Sequence, residues 1–259
     1  MPKNQLSKAA SRKQLASNAN AVQRFTAEEA AVMAEPHSPQ CFLVCCIDSR
    51  FQPAKALDYG PGIALEYRQI AAVVPPEENA STDFLSRMAF RRLNKIDHIA
   101  LITHSDCGGA QAALKVPYPD LAAGDDLHAV AAVAHRSGLD IPTLGERFMA
   151  EEGGSLRRAG DHLAREIGVK ARENLMGYKG RDGHATIADE VKAGALKVLL
   201  LYYDLEQRSF ELYDPKKGVW KQNINTCNIL SGAAPALHNC AAKHHSHAVA
   251  PMKEMGVKK

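Results

Sequence analysis

The stretch Cys41-Phe42-Leu43-Val44-Cys45-Cys46-Ile47-Asp48-Ser49-Arg50 decides how this chain reads. An unbroken apolar run stops abruptly at a thiol, a carboxylate and a guanidinium. Such a run suits a strand buried on both faces, the kind found in parallel sheets. A second apolar run, residues 99–102, leads in the same way into His104-Ser105-Asp106-Cys107-Gly108-Gly109. Open α/β sheets carry their chemistry at the C-terminal ends of neighbouring strands. Cys46, His104 and Cys107 offer two thiolates and an imidazole. That set suits zinc, and three protein ligands leave a fourth position open, as in catalytic rather than structural sites. Side chains alternate along a strand, so only one of Cys45 and Cys46 can face the site. Asp48 and Arg50 share parity with Cys46, which selects Cys46.

Working outward, strands and helices alternate. Residues 41–46, 63–67 and 99–103 read as strands, with a short helix from Pro53, a turn at Gly60-Pro61-Gly62 and a helix over 81–93. Phe84, Leu85, Met88 and Leu93 mark the apolar face of that helix. Another helix starts at Gly108-Gly109 and runs through Leu114. Residues 127–135 and 156–175 read as helices, with Pro117, Pro119, Pro142 and Gly153-Gly154 marking loops. Residues 187–195 read as a helix, 196–203 as a strand, and 210–213 as its antiparallel partner, with a turn near Gln207-Arg208 and Trp220 as buried packing. This pace predicts an α/β fold: a mainly parallel central sheet with flanking helices and an antiparallel edge strand. The expected organisation is an N-terminal helical arm over 1–40, a zinc domain over 41–235 and a His/Lys-bearing tail over 236–259. Thr26 and Glu29 have the spacing of a helix capping box.

The composition is that of a globular chain: 259 residues, 46% hydrophobic and 24% charged. No apolar run is long enough to cross a bilayer. The net charge is +3 but unevenly spread. Lys3, Lys8, Arg12, Lys13 and Arg24 stand in an acid-free N-terminal stretch, and lysines crowd the tail, leaving the body acidic on balance. A body without a basic stripe excludes nucleic acid as the expected partner. Six cysteines, two of them in ligand positions, indicate reduced thiols in a cytosol-like compartment. The acid-free N-terminus reads as a basic helical arm of a cytoplasmic protein; the alternative is an organellar transit peptide. His238, Cys240, His244, His245 and His247 give the tail a metal-binding composition, although a solvated end is the plainer reading.

Cys46-x-Asp48-x-Arg50 followed some fifty residues later by His104-x-x-Cys107-Gly108 resembles the β-class carbonic anhydrases. Arg68, shortly before Pro75-Pro76, and Leu201-Tyr202-Tyr203-Asp204-Leu205 add to the likeness, which covers residues 41–214. The resemblance implies zinc held by Cys46, His104 and Cys107, and a zinc-bound hydroxide that hydrates carbon dioxide reversibly to bicarbonate and a proton. It implies catalytic roles for Asp48 and Arg50: the dyad orients the zinc-bound water, or opens so that Asp48 takes the fourth position as an inactive state. It also implies a homodimer or an assembly of dimers, with the N-terminal arm as a dimerisation element.

Two thiolates neutralise the ion's charge and leave its water less acidic than an all-imidazole site would, so an acceptor beside the water helps. Arg50 can hold the Asp48 carboxylate ionised by a bidentate pair. The chain departs from the family pattern at Gln69-Ile70-Ala71-Ala72, where a polar, glycine-containing segment is expected, and at Thr103 in place of glycine. Side chains added there are expected to narrow or dry the pocket. Gly108 and Gly109 are expected to allow close approach of backbone to the site. Two alternative functions follow. One is hydrolysis of carbonyl sulfide or carbon disulfide at the same centre; the other is a non-catalytic zinc-containing scaffold or binding protein. A cysteine phosphatase is excluded, because the spacing from Cys45 to Arg50 is one residue short for that loop. His98, His128, His135, His162 and His184 read as surface or core histidines, and the group holds the candidates for a proton shuttle.

Overall fold

The structure is a computed structural model that describes residues 26–36, 38–179 and 185–222. Chain order runs α1 (Ala27–Ala34), β1 (Cys41–Cys45), α2 (Pro53–Ala56), β2 (Ala64–Arg68), α3 (Thr82–Leu93), β3 (His98–His104) and α4 (Gly108–Lys115). It continues α5 (Asp126–His135), α6 (Ile141–Glu151), α7 (Leu156–Met176), α8 (Ile187–Lys192), β4 (Lys197–Asp204), β5 (Ser209–Asp214) and β6 (Val219–Lys221). The strands form one sheet in the order β2-β1-β3-β4-β5-β6. β2, β1, β3 and β4 are mutually parallel, while β5 and β6 return antiparallel. The chain passes outward from β1 to β2, then back across β1 to β3. The gap above β1 and β3 is therefore a topological switch point, where such sheets place ligands.

Every residue of β1 and of β3 is buried, as their unbroken apolar runs require. One face carries Phe42, Val44, Ile99, Leu101 and Leu200 against Phe84 and Met88 of α3, Ala171 and Leu175 of α7, and Tyr178. The opposite face carries Leu43, Cys45, Ala100, Ile102 and Leu201 under Phe51 and Leu57. A third cluster gathers Cys46, Cys107, Ala110, Ile141, Phe148, Leu163 and Ile167 beside the strand ends, where α4, α6 and α7 meet.

Helix boundaries follow from their caps. Ser81 accepts the Phe84 amide at the start of α3, and Thr186 with Asp189 forms a full capping box on α8. In α1 the Thr26 amide donates to Glu29 at 2.8 Å and the Glu29 amide to Thr26 at 3.1 Å. The remainder of the expected N-terminal arm, residues 1–25, and the tail with its histidines lie outside the described residues, as do His184, Cys227 and Cys240.

Four expectations need correction. Residues 141–151 form a helix, α6, rather than loop: Pro142 falls in its first turn, where a missing amide costs nothing. Val219–Lys221 is a sixth strand, and Trp220 is half-buried against Tyr202 and Tyr213 rather than fully enclosed. α8 ends at Lys192, three residues early, because Gly194 turns left-handed at φ +72. Leu93 is 82% exposed, while Arg91, one turn beyond Met88, is the buried residue and pairs with Glu190 at 2.6 Å.

Candidate metal centre

Cys46 lies one residue past the end of β1, and His104 is the last residue of β3. Cys107 follows as the N-cap of α4. Their ligand atoms lie within 4.8 Å of one another, and all three residues are buried. The two sulfurs are 3.9 Å apart. Cys45 points elsewhere, its thiol directed at the Tyr67 carbonyl at 3.8 Å.

The histidine settles which atom is offered. His104 Nδ1 donates to the Ser105 carbonyl at 2.8 Å, so the neutral ring keeps its lone pair on Nε2. Nε2 is buried and has no hydrogen-bond partner. An orphaned imidazole nitrogen beside two buried thiols is costly unless something binds there. The donor set fits zinc: sulfur and nitrogen ligands, the Ser105 carbonyl orienting the ring, and three ligands in all. The thiols behave as one unit. Hydrogen bonding from Cys107 holds the Cys46 thiol far below its usual range, and the Cys46 thiolate together with burial pushes Cys107 up. The net pull on His104 is upward: burial works against its charged form, but the Cys46 thiolate outweighs it.

Beside the triad stands an interlocked set of charges. Arg50 donates from Nε to Asp48 Oδ1 at 3.1 Å and from Nη2 to Asp48 Oδ2 at 2.7 Å. The Arg50 amide also donates to Asp48 Oδ1 at 2.9 Å. These bonds hold the Asp48 carboxyl down to about 2, against a smaller upward push from burial. Asp48 is therefore an acceptor across the whole neutral range.

Arg68 holds the loop that carries Cys46 and Asp48. It donates to the carbonyls of Cys46 at 3.0 Å, Asp48 at 2.9 Å and Phe51 at 2.6 Å. In the sequence Arg68 is only a point of likeness; an arginine ending a strand next to the site is the signal for this clamp. Asp106 and Ser105 do more than shape the turn between His104 and Cys107. Asp106 accepts from Arg50 Nη1 at 2.7 Å, and Ser105 Oγ accepts the Leu205 amide at 2.9 Å, tying the turn to the β4–β5 hairpin.

The departures from pattern have structural counterparts. Ala71 and Ala72 both sit at φ +55, the left-handed region that favours glycine or asparagine. A Cβ on Gly109 would lie 2.5 Å from Ile70 Cγ2 and 3.3 Å from the Ala71 nitrogen, so only glycine fits there. Gly108, by contrast, has open space around it and is not needed for close approach. The Thr103 side chain turns towards α7, where a Cβ on Gly168 would meet its Cγ2 at 3.2 Å. The histidines fall as core or surface groups: His98 is buried beside Asp97 at 2.6 Å, His128 accepts the Asp120 amide, and His162 pairs with Glu152 and stacks on Phe148.

Comparison with known proteins completes the picture. The Arabidopsis thaliana protein "Beta carbonic anhydrase 5, chloroplastic" is 37% identical over 86 residues, covering 32% of this chain and 28% of that protein. "Beta carbonic anhydrase 6, mitochondrial" of the same plant is 33% identical over 86 residues, covering 33% and 30%. The chain thus aligns with less than a third of the length of either curated relative. Among solved structures, the β-carbonic anhydrase CcaA superposes with a TM-score of 0.67 at 16% identity, over 82% of this chain and 98% of that one. CafA of Aspergillus fumigatus superposes with a TM-score of 0.57 at 20% identity, over 87% and 96%. These structures share the fold. The family model described as "Carbonic anhydrase" matches residues 41–209, which run from β1 through the β4–β5 turn and include every residue of the triad. The chain belongs to the β-carbonic anhydrase family.

Proposed function

We propose that this chain catalyses the reversible hydration of carbon dioxide to bicarbonate and a proton. The observation that carries the reading is the buried Cys46–His104–Cys107 triad with its orphaned Nε2. Cys46, His104 and Cys107 would hold zinc, the metal the family uses. Zinc held there with an open position would acidify a bound water and so supply a hydroxide nucleophile. Asp48 is the acceptor that orients the attacking water, and Arg50 keeps its carboxylate ionised and correctly turned. In an inactive state the same carboxylate would take the place of that water, as the family resemblance implies. Arg68 fixes the loop bearing Cys46 and Asp48, so ligand and acceptor keep one spacing.

Among the described residues Cys41, Cys45, Cys46 and Cys107 are all free and buried. That supports a reducing compartment, cytoplasm or an organelle interior. No described helix is long and apolar enough to cross a membrane. The expected assembly is a homodimer or a set of dimers; two solved β-carbonic anhydrases of Sordaria macrospora are tetrameric.

The test is stopped-flow carbon dioxide hydration at pH 6.5–9 on protein whose zinc is measured in parallel. About one zinc per chain, with a rate rising with pH, is the expected result. Full zinc without hydration would sink the reading, and sulfide release from carbonyl sulfide or carbon disulfide would then assign the alternative chemistry. Silence with both substrates would leave a zinc-containing scaffold.

A further inference from the structure

Asp106 stands between the two ligands His104 and Cys107 with φ at +54, a conformation aspartate tolerates better than most residues. Its surroundings are built. The Asp106 amide donates to Asp161 Oδ1 of α7 at 2.6 Å. Gln111 Nε2 of α4 donates to Asp106 Oδ1 at 2.8 Å. Gly160, next to Asp161, leaves the space that Gln111 fills: a Cβ there would lie 2.8 Å from Gln111 Cγ. Arg157 Nε approaches Asp106 Oδ1 at 3.9 Å.

What this arrangement grips is Arg50. Arg50 Nη1 donates to Asp106 Oδ2 at 2.7 Å, and Nη2 donates to the Asp106 carbonyl at 2.9 Å. The opposite side of the same fork carries the bidentate pair to Asp48. The Arg50 side chain is 51% exposed. A single ion pair at that exposure gains little and leaves a long side chain free to swing. Two carboxylates and a carbonyl around one planar guanidinium remove that freedom.

We propose that Asp106 is a positioning residue for Asp48, acting through Arg50, and that Asp161 of α7 fixes the turn that presents it. The inference rests on the reading of Asp48 as the acceptor that orients water. The functional pair is then a three-membered unit, Asp48–Arg50–Asp106, anchored to a helix distant in sequence.

Asp106→Asn tests this, because asparagine keeps the size and tolerates the left-handed backbone while losing the charge. In the zinc-loaded protein, phenylglyoxal modification of Arg50, followed by peptide mass spectrometry, is expected to become several-fold faster in Asp106→Asn and in Asp161→Ala. Zinc content should stay at the wild-type level. The hydration rate should fall by roughly 10- to 100-fold, the range for removing an outer-shell partner. In an Asp48→Ala background, Asp106→Asn should cost nothing more, since its effect passes through the missing carboxylate. An unchanged Arg50 modification rate in Asp106→Asn, or a full additional loss in the Asp48→Ala background, would overturn the proposal. An unchanged rate in Asp161→Ala alone would overturn the part assigned to α7. Modification needs no turnover, so a wild-type chain that fails to hydrate carbon dioxide would overturn the proposed function while the Arg50 rate still decides the clamp.

Discussion

Cys45 and Cys46 are adjacent, buried and chemically identical, and only their surroundings distinguish them. Cys46 faces Cys107 at 3.9 Å, whereas the Cys45 thiol meets a backbone carbonyl. Replacing Cys46, His104 or Cys107 by alanine is expected to abolish stoichiometric zinc, and Cys45→Ser to leave about one zinc per chain, both read by metal analysis of purified protein. A zinc-replete Cys46→Ala would transfer the ligand role to its neighbour. Arg68 acts on the same loop without touching the ligand sulfur. It satisfies the carbonyls of Cys46, Asp48 and Phe51, so Arg68→Ala should destabilise the fold by about 1.5–3 kcal/mol, seen as a lower urea midpoint.

At the scale of elements, the site depends on close approaches that residue types alone did not announce. The segment Ile70–Ala72 presses on the start of α4 at Gly109, and its two alanines hold left-handed backbone. Left-handed backbone costs a non-glycine residue about 1–2 kcal/mol, partly offset by the flexibility glycine brings to the unfolded chain. Ala71→Gly and Ala72→Gly are therefore expected to raise stability by up to about 1 kcal/mol each. A lower melting temperature in both would show that the alanine methyls contribute more by packing than they cost in strain. Thr103 and Gly168 form a second matched pair between β3 and α7. A Cβ at position 168 would also lie 2.9 Å from Leu200 Cδ1, so Gly168→Ala should destabilise by about 1–3 kcal/mol. The residue read from sequence as narrowing the site instead packs a helix onto the sheet.

For the molecule as a whole, the metal centre closes the top of the sheet. Cys46 and Cys107 belong to the same apolar cluster as Ala110, Leu163 and Ile167, so ligand loss and loss of packing are linked. Zinc bound by the folded chain adds stability by mass action. Prolonged chelation should therefore lower the melting temperature, and re-addition of zinc should restore it in reducing buffer. Identical melting of the two forms would mean that the cluster is self-sufficient without the ion.

Much of this was legible in the chain. The apolar runs of β1 and β3 announced buried parallel strands, because a strand covered on both faces has no polar face to alternate. The spacing of Cys46, Asp48, Arg50, His104 and Cys107 was enough to nominate the candidate site, since each proposed ligand falls at or just past the end of such a run. Helix α6 was not legible: Pro142 reads as a break unless it is known to fall in a first turn. Nor was the grip of Asp106 on Arg50, nor the hold of Asp161 on the Asp106 amide, nor the fit of Gly109 and Gly168 against their neighbours. Sequence by itself determined which residues could bear the chemistry, because strand periodicity and ligand type are local properties. Only the tertiary structure decided how they are held, because hydrogen bonds between residues about fifty apart and contacts within an ångström of overlap depend on where distant segments meet.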